Sequence, residues 1–298
     1  MAKTYILHNP HAGPGGQSEI NAEALAQGGD VELLCVTKIT NYAAFLEGME
    51  PGDRIILAGG DGTLNRFVND TAGVNTHAEI FYYPSGSGND FAHDLGKEKF
   101  CQPFSIDRYL RDLPQVTVKG KTYRFLNGVG YGIDGYCCEV GDAMRKIPGK
   151  KVDYTMIAIK GLLFHFQPRN ATVTVDGVSR SFRKVWIAPT MHGRFYGGGM
   201  MPTPNQDRNA GGKLSAMVFH DSGKLKTLMI FPSLFKGEHV KHTKHVAILE
   251  GQEITVEFDR PTALQIDGET ILGVTSYTAK TAAKCREETS IRGVAVGV

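Results

Sequence analysis

Short apolar runs alternate with helical patterns over the first third of the chain, and this restricts the fold more than any other feature. Thr4–Leu7, Val31–Val36, Arg54–Ala58 and Glu79–Tyr83 read as strands. Helical patterns fill the gaps at Ser18–Ala26, at Thr40–Gly48 and from Asn65–Asn69 onward. Strands separated by helices cannot be closed by hairpins, so the pattern predicts a doubly wound (Rossmann-like) α/β domain with a parallel sheet and helices on both faces. Ligands in such sheets bind beyond the carboxyl ends of the strands. Two glycine-rich stretches fall there: Gly59-Gly60-Asp61-Gly62-Thr63 after the third run, and Pro84-Ser85-Gly86-Ser87-Gly88-Asn89-Asp90 after the fourth.

The texture changes after about residue 115. Val116–Val118, Tyr123–Asn127, Ala171–Val175, Phe182–Ala188, Leu214–Phe219, Val246–Leu249, Ile254–Phe258 and Leu264–Ile266 are short strand-like runs. Helical signal is confined to Gly135–Met144, Tyr154–Phe166 and Leu225–Phe231. This predicts a mostly antiparallel, β-sandwich-like second domain. The 298 residues suit two domains at roughly 150 residues each. The expected division is 1–120 plus a returning tail, 273–298, for the α/β domain, and 121–272 for the β-rich domain.

Composition sharpens the reading of the loops. Glycine, at 36 of 298 residues or about 12%, exceeds the usual ~7% without a collagen period. It concentrates at 13–16, 59–62, 86–88, 128–135, 197–199 and 211–212. A formal net charge of +2 excludes a strong overall nucleic-acid field while leaving room for a local basic patch, so no nucleic-acid partner is expected. The five cysteines contain no CxxC pair, which speaks against a zinc knuckle or a redox dithiol and for reduced, intracellular thiols. The N-terminal apolar run is too short for a signal peptide. The longest membrane-like stretch, Tyr154–Phe166, contains Lys160 and falls short of the ~20 residues a span needs. A cytoplasmic protein is expected.

The two loops point to phosphate chemistry. Consecutive glycines expose backbone N–H groups to an anion, and a helix N-terminus behind them adds a favourable field. A bare phosphate would repel Asp61, so its presence makes sense with Mg²⁺ or a donated hydroxyl between them; it could equally cap a helix. Asp90 has the same two readings. Three other motifs are weaker. Gly120-Lys121-Thr122 ends like a Walker A loop but lacks its leading glycine, since position 115 is Gln115. Gly130, Gly132 and Gly135 match the dinucleotide fingerprint outside a clear βαβ context. His239, His242 and His245 alternate with Lys241 and Lys244 and read as a basic loop before a strand rather than a metal site.

Five ordered segments carry a family resemblance across nearly the whole chain: GGDGTLN at 59–65, PSGSGNDFAHDLG at 84–96, FLNGVGYGID at 125–134, GGGMMPTP at 197–204 and IDGE at 266–269. The chain resembles the diacylglycerol kinase catalytic family, in the bacterial lipid-kinase branch related to sphingosine kinases. GGDGT alone is shared with NAD kinases and phosphofructokinases; PSGSGNDFA and the late IDGE separate the lipid-kinase branch from them. The resemblance implies ATP and Mg²⁺ in an interdomain cleft and a lipid hydroxyl as acceptor, with diacylglycerol the leading substrate. It implies that Asn9 and Gly13 shape the opening phosphate-side loop. Gly59, Gly60, Asp61, Gly62, Thr63, Asn65, Ser85, Gly86, Ser87, Gly88 and Asn89 would line the nucleotide, with Asp61 and Asp90 as active-site carboxylates. Asp267 would act as base on the lipid hydroxyl and Glu269 would aid the metal or nucleotide, so that Asp61 and Glu269 are the implied metal ligands. Read from the residues alone, Asp267-Gly268 is equally a plain hairpin turn.

Two departures stand out. Arg66 occupies the place where the family usually carries Glu, and Asn209-Ala210-Gly211-Gly212-Lys213 replaces a usual Asp-Gly, which leaves an accessory Mg²⁺ site in doubt. On the lipid side, Tyr154–Phe166 behind Arg145, Lys146, Lys150 and Lys151, and Phe231, Leu234 and Phe235 beside Lys236, combine apolar and basic residues. Both suit the inner face of an anionic membrane, and both equally suit a domain core. A homodimer is left open. The alternatives to lipid phosphorylation are an NAD kinase and a nucleotide- or lipid-binding regulator without turnover.

Overall fold

The four apolar runs of the first third become β1 (Lys3–His8), β2 (Asp30–Cys35), β3 (Arg54–Gly59) and β4 (Glu79–Pro84) in a computed structural model that describes residues 2–9, 25–26, 28–147, 152, 154–210 and 212–295. The four are parallel in the order β2-β1-β3-β4, and a two-residue strand β5 (Phe104–Ser105) closes the edge antiparallel to β4. Ile6 pairs with Ile56, and Ile56 with Phe81. Consecutive residues Ile6 and Leu7, and Ile55 through Leu57, are all buried, as expected where both faces of a parallel sheet are covered. Ile6, Ile56 and Ala58 pack with Val31, Phe81 and Tyr83 into one cluster.

The chain steps from β1 out to β2 and then crosses back past β1 to β3, so the winding reverses between β1 and β3. That reversal opens a crevice at the carboxyl ends of the two strands. Helix α1 (Tyr42–Glu47) starts at Asn41, whose Oδ1 accepts from the Ala44 N–H at 3.0 Å. Helix α2 (Asp61–Asp70) leaves β3 through a single residue, Gly60. The glycine motif is therefore a strand end and a first helical turn, and the helix begins four residues earlier than its apolar pattern indicates. Helices α3 (Asp90–Asp94) and α4 (Asp107–Leu110) follow β4 and β5. The expected helix at Ser18–Ala26 lies largely outside the described residues.

The structure divides at residue 112, into Met1–Asp112 and Leu113–Val298. The second unit holds a mostly antiparallel sheet in the order β13-β12-β11-β8-β14-β15-β6-β7, with β9 pairing both β10 and β14. Its strands are β6 (Gln115–Val118), β7 (Lys121–Arg124), β8 (Gly128–Tyr131), β9 (Arg169–Val175), β10 (Val178–Val185), β11 (Thr190–Met191), β12 (Leu214–Phe219), β13 (Val246–Gly251), β14 (Glu253–Ile266) and β15 (Glu269–Lys280). The runs 254–258 and 264–266 are one long strand: β14 pairs with β9 through its first half and with β8 through its last three residues. Its register against β15 shifts between Glu257 and Leu264, around Pro261, which cannot donate to a ladder. Tyr131 stacks on Phe258 with ring centroids 3.9 Å apart, filling the bend. Residues 273–280, expected to belong with the α/β domain, are part of β15 in this sheet, paired with β14 and β6.

A second layer consists of α5 (Ile133–Arg145), α6 (Tyr154–Lys160) running into a wide turn at Gly161–His165, and α7 (Lys224–Ile230) followed by a tight helical segment, Phe231–Lys236. Ile133, Leu162, Phe166, Trp186, Ile230 and Leu234 form its common core. The chain closes with α8 (Ala282–Ala295). No helix among the described residues is long and apolar enough to cross a membrane.

Candidate active site

In the first unit the two glycine loops are pressed together backbone to backbone. A Cβ added to Gly86 would lie 2.2 Å from the Gly60 Cα and 2.8 Å from its nitrogen, so neither loop can carry a side chain at the contact. Close approach, rather than a left-handed backbone, explains these glycines: neither Gly60 nor Gly86 has positive φ. The Gly59 carbonyl is the anchor. It accepts from the N–H groups of Ser85 (2.9 Å) and Gly86 (3.0 Å) and from the Tyr82 hydroxyl (3.2 Å). Burial, with the nearby Asp61 and Asp90 carboxylates, pushes the Tyr82 phenol well above its ordinary range and keeps it a donor. Asn89 adopts a left-handed conformation (φ 53°) and turns its amide inward, donating to the Gly86 carbonyl at 2.9 Å and accepting from the Gly86 N–H at 3.0 Å.

Asp61 is a capping residue, but for a distant helix. Its two oxygens accept from the N–H groups of Asp90 (2.8 Å) and Phe91 (3.0 Å), at the start of α3. The carboxylate thereby fixes the first loop against the second and sits at the positive end of the helix. Asp90 is itself buried, while Gly62, Ser87 and Gly88 are exposed. The first intrahelical bond of α2 runs from Leu64 N to Gly60 O, so the N–H groups before it lack an acceptor within the helix. Asn9, just past β1, reaches the Thr63 hydroxyl at 3.4 Å and ties the β1 end to the β3 loop. Asn65 is buried one turn further along α2, where its carbonyl and Oδ1 accept from Asn69. Gly13 lies outside the described residues. Arg66 points to solvent and faces Asp70 one turn on, at 4.0 Å, so its charge belongs to the outer face of α2.

In the second unit Asp267 and Gly268 are the two-residue connection of the β14–β15 hairpin, both at positive φ (46° and 96°), flanked by the Ile266–Glu269 pair. Asp267 has a further role that the turn does not require. Its buried carboxylate accepts three backbone N–H bonds, from Leu126 at 2.6 Å, Asn127 at 2.8 Å and Gly128 at 2.9 Å. Oδ1 accepts from Asn127 and Gly128, and Oδ2 from Leu126. A buried guanidinium, Arg208, donates to the Leu126 carbonyl (3.2 Å) and the Asn127 Oδ1 (3.1 Å), bracing the same segment from its other side. Glu269 is exposed at the start of β15.

Beneath the turn lies a buried polar chain that sequence reasoning missed. Gln265 accepts from the Gly268 N–H at 2.6 Å and donates to Asp134 Oδ2 at 2.9 Å. Burial raises the Asp134 carboxyl to about 6 against the opposing effect of the Gln265 bond. The Tyr196 hydroxyl lies beside it without completing a hydrogen bond. The fingerprint-like glycines serve this packing: a Cβ on Gly130 would strike Asp134 Oδ2, and one on Gly135 would lie 2.0 Å from the Ala263 carbonyl. The only sequence signal was an acid inside an otherwise apolar GYGIDG stretch.

The other motifs resolve structurally. Lys119 and Gly120 turn the β6–β7 hairpin at positive φ. His239 is buried, with Nε2 donating to the Pro202 carbonyl at 2.8 Å, so it is not part of an open basic loop. No cluster of three or more His, Cys, Asp or Glu side chains suited to a metal occurs among the described residues. Asp207 is engaged by the backbone and amide of Asn209, at 2.8 and 3.2 Å.

Comparison with known proteins covers both units. Residues 3–115 match the family model described as the diacylglycerol kinase catalytic domain, and residues 127–285 match the YegS C-terminal NAD kinase beta sandwich-like domain. The chain is similar to a diacylglycerol kinase of Bacillus subtilis, 24% identical over 90% of each protein. It is also similar to a diacylglycerol kinase of Mycobacterium tuberculosis, 26% identical over 63% of this chain and 62% of the other. A crystal structure of a diacylglycerol kinase from Bacillus anthracis shares the fold, with a TM-score of 0.59 at 18% identity over 94% of this chain and 93% of that one.

Proposed function

We propose, from the premise that this chain belongs to the diacylglycerol kinase catalytic-domain family, that it transfers the γ-phosphoryl group of ATP to a lipid hydroxyl, with diacylglycerol as acceptor and phosphatidic acid as product. The observation that carries this reading is the Gly60–Gly86 contact beside the β1/β3 reversal. It creates a surface of backbone without side chains, next to the first-turn N–H groups of α2, where a phosphate chain can approach closely.

The residues fit the nucleotide and its metal. Asp61 and Asp90 are hard oxygen donors on neighbouring loops, joined by the bonds from the Asp90 and Phe91 N–H groups to the Asp61 carboxylate. Asp61, with Asp90 as a further candidate, would hold Mg²⁺, which would neutralise phosphate charge there. Phosphoryl transfer asks little covalent chemistry of the protein and much positioning. Gly59, Gly60, Gly62, Thr63, Ser85, Gly86, Ser87 and Gly88 provide the backbone surface, while Asn9, Asn65 and Asn89 hold its shape. Asp267 orients the acceptor hydroxyl and receives its proton. The three N–H bonds on this carboxylate hold it in one orientation, so positioning is the larger part of its role.

Incubation with γ-labelled ATP and Mg²⁺ tests the reading, with diacylglycerol in mixed micelles in one arm and NAD in the other. The expected result is label in a lipid product whose mass is that of phosphatidic acid. Label confined to NAD would replace the lipid acceptor with a nucleotide one. ATP binding without label in either arm would leave a binding protein.

A further inference from the structure

The second unit carries an apolar surface for which its core has no use. Residues 154–166 and 224–236 pack on one another through Leu162, Phe166, Ile230, Phe231 and Leu234, all buried in a shared cluster. Lys224 Nζ donates to the Leu163 carbonyl at 2.9 Å and joins the two segments at their edge. Phe231 and Leu234, whose apolar character suggested a lipid contact, are thus core residues. The outward side of the same two segments carries other large apolar side chains. Phe164, Leu225 and Met229 are 70%, 73% and 75% exposed, the three highest values for large hydrophobics among the described residues. Met156 and Phe235 are exposed beside them in sequence. Leu225 and Met229 are one helical turn apart and share a face of α7.

Charge identifies the occupant. The two segments contain Lys160, Lys224, Lys226 and Lys236 and no Asp or Glu, in a chain whose charges otherwise nearly balance at 33 basic against 31 acidic. Asp221, just before α7, is already faced by Arg183 at 3.6 Å and His220 at 3.2 Å. A second copy of this chain is a poor partner, because a two-fold interface sets a patch against itself and would oppose lysine to lysine. An acyl boundary beneath anionic headgroups complements both features at once.

We propose that this face is a docking surface for an anionic phospholipid bilayer, with Phe164, Leu225 and Met229 entering the acyl boundary and the flanking lysines meeting headgroup phosphates. Its purpose, presenting the enzyme to a membrane-dissolved acceptor, rests on the lipid-kinase reading; the surface itself does not.

Sedimentation of the full chain with vesicles tests it. One set is three-quarters phosphatidylcholine and one-quarter phosphatidylglycerol, the other phosphatidylcholine alone. The wild type is expected to partition about ten-fold more strongly onto the anionic vesicles. The triple variant Phe164→Ser, Leu225→Ser, Met229→Ser is expected to lose about ten-fold of that binding, as is Lys226→Glu with Lys236→Glu. All five side chains are exposed, and the fluorescence of Trp186 in the underlying core checks that the variants remain folded. Transfer to a short-chain, water-soluble diacylglycerol is expected to be unchanged. Equal vesicle binding by wild type and triple variant overturns the proposal. So does a wild-type dimer that the triple variant breaks, without vesicle binding by either. Vesicle binding through this face without phosphate transfer to any lipid removes the lipid-kinase reading and leaves the docking surface standing; transfer without such binding does the reverse.

Discussion

Replacing Asp134 by Asn should stabilise the second unit above neutral pH, and the effect should vanish in acid. Asp134 is buried at the start of α5 with its Oδ2 against Gly130 and a single formed hydrogen bond, from Gln265. Burial is the leading cause that raises its carboxyl from 3.8 to about 6. A raised carboxyl pKa means that the folded chain holds the proton more tightly than the unfolded chain does. The associated stability is therefore complete in acid, falls as pH rises from about 4 to about 6, and is lost above that. The gap corresponds to about 3 kcal/mol. Asn keeps the shape and the oxygen that Gln265 needs, and it removes the charge. Among the neighbouring groups, burial pushes the Cys137 and Cys138 thiols and the Tyr196 phenol upward, away from this window. Other carboxylates contribute equally to both proteins and cancel in their difference. Trp186 is the only tryptophan and shares its core with Ile133 and Cys137, so its fluorescence reports unfolding of this unit. Urea midpoints measured by that fluorescence should differ by ~1 M near pH 7.5, with the variant higher, and converge near pH 4. A difference that stays flat across this range, or a wild type that is the more stable at pH 7.5, would refute the assignment.

Four further outcomes follow from the same geometry. Gly86→Ala should separate the two loops, since its Cβ meets the backbone of Gly60 and no flexible side chain can yield; a loss of about 1–3 kcal/mol in denaturation and of ATP binding in calorimetry is expected. Asp61→Asn would turn an amide N–H₂ or a single oxygen toward two α3 donors, so both ATP turnover and the folding stability of the first unit should fall, the latter by about 1–3 kcal/mol. Asp267→Asn should lower kcat and lower the stability of the second unit by about 3 kcal/mol, because an amide cannot satisfy three backbone donors; a variant of undiminished stability would show that the 126–128 segment finds other acceptors. Arg66→Glu should leave kcat/KM within about two-fold, because the side chain is exposed and its partner across a helical turn is Asp70; a large loss would place that charge near the nucleotide after all.

The parts of this molecule that were legible in its sequence are those whose cause is local. Parallel strands buried on both faces announce themselves as unbroken apolar runs, and β1, β3 and β4 were found within a residue or two of their ends. β8 was not found, because a strand written Gly-Val-Gly-Tyr has no side-chain pattern to read. β15 was missed because it alternates exposed and buried residues unevenly along its bulged partner, and β14 was cut in two by the bend at Pro261. The site divides in the same way. That Gly60 and Gly86 lie near phosphate chemistry followed from their positions at strand ends, but that each excludes a side chain on the other's account is a contact between residues 26 apart. Asp61 could be read as a cap, yet the helix it caps begins twenty-nine residues later. The partners of Asp267 lie about 140 residues back along the chain. In each case the residue type records that a demand exists, a carboxylate to be satisfied or a missing Cβ, and only the folded chain shows which distant group makes it. The same reasoning explains the apolar surface. Residues 154–166 and 224–236 each carry enough hydrophobic side chains for two faces, and sequence could not say which face is core until the burial of Leu162 and Leu234 in one cluster left Phe164, Leu225 and Met229 outside.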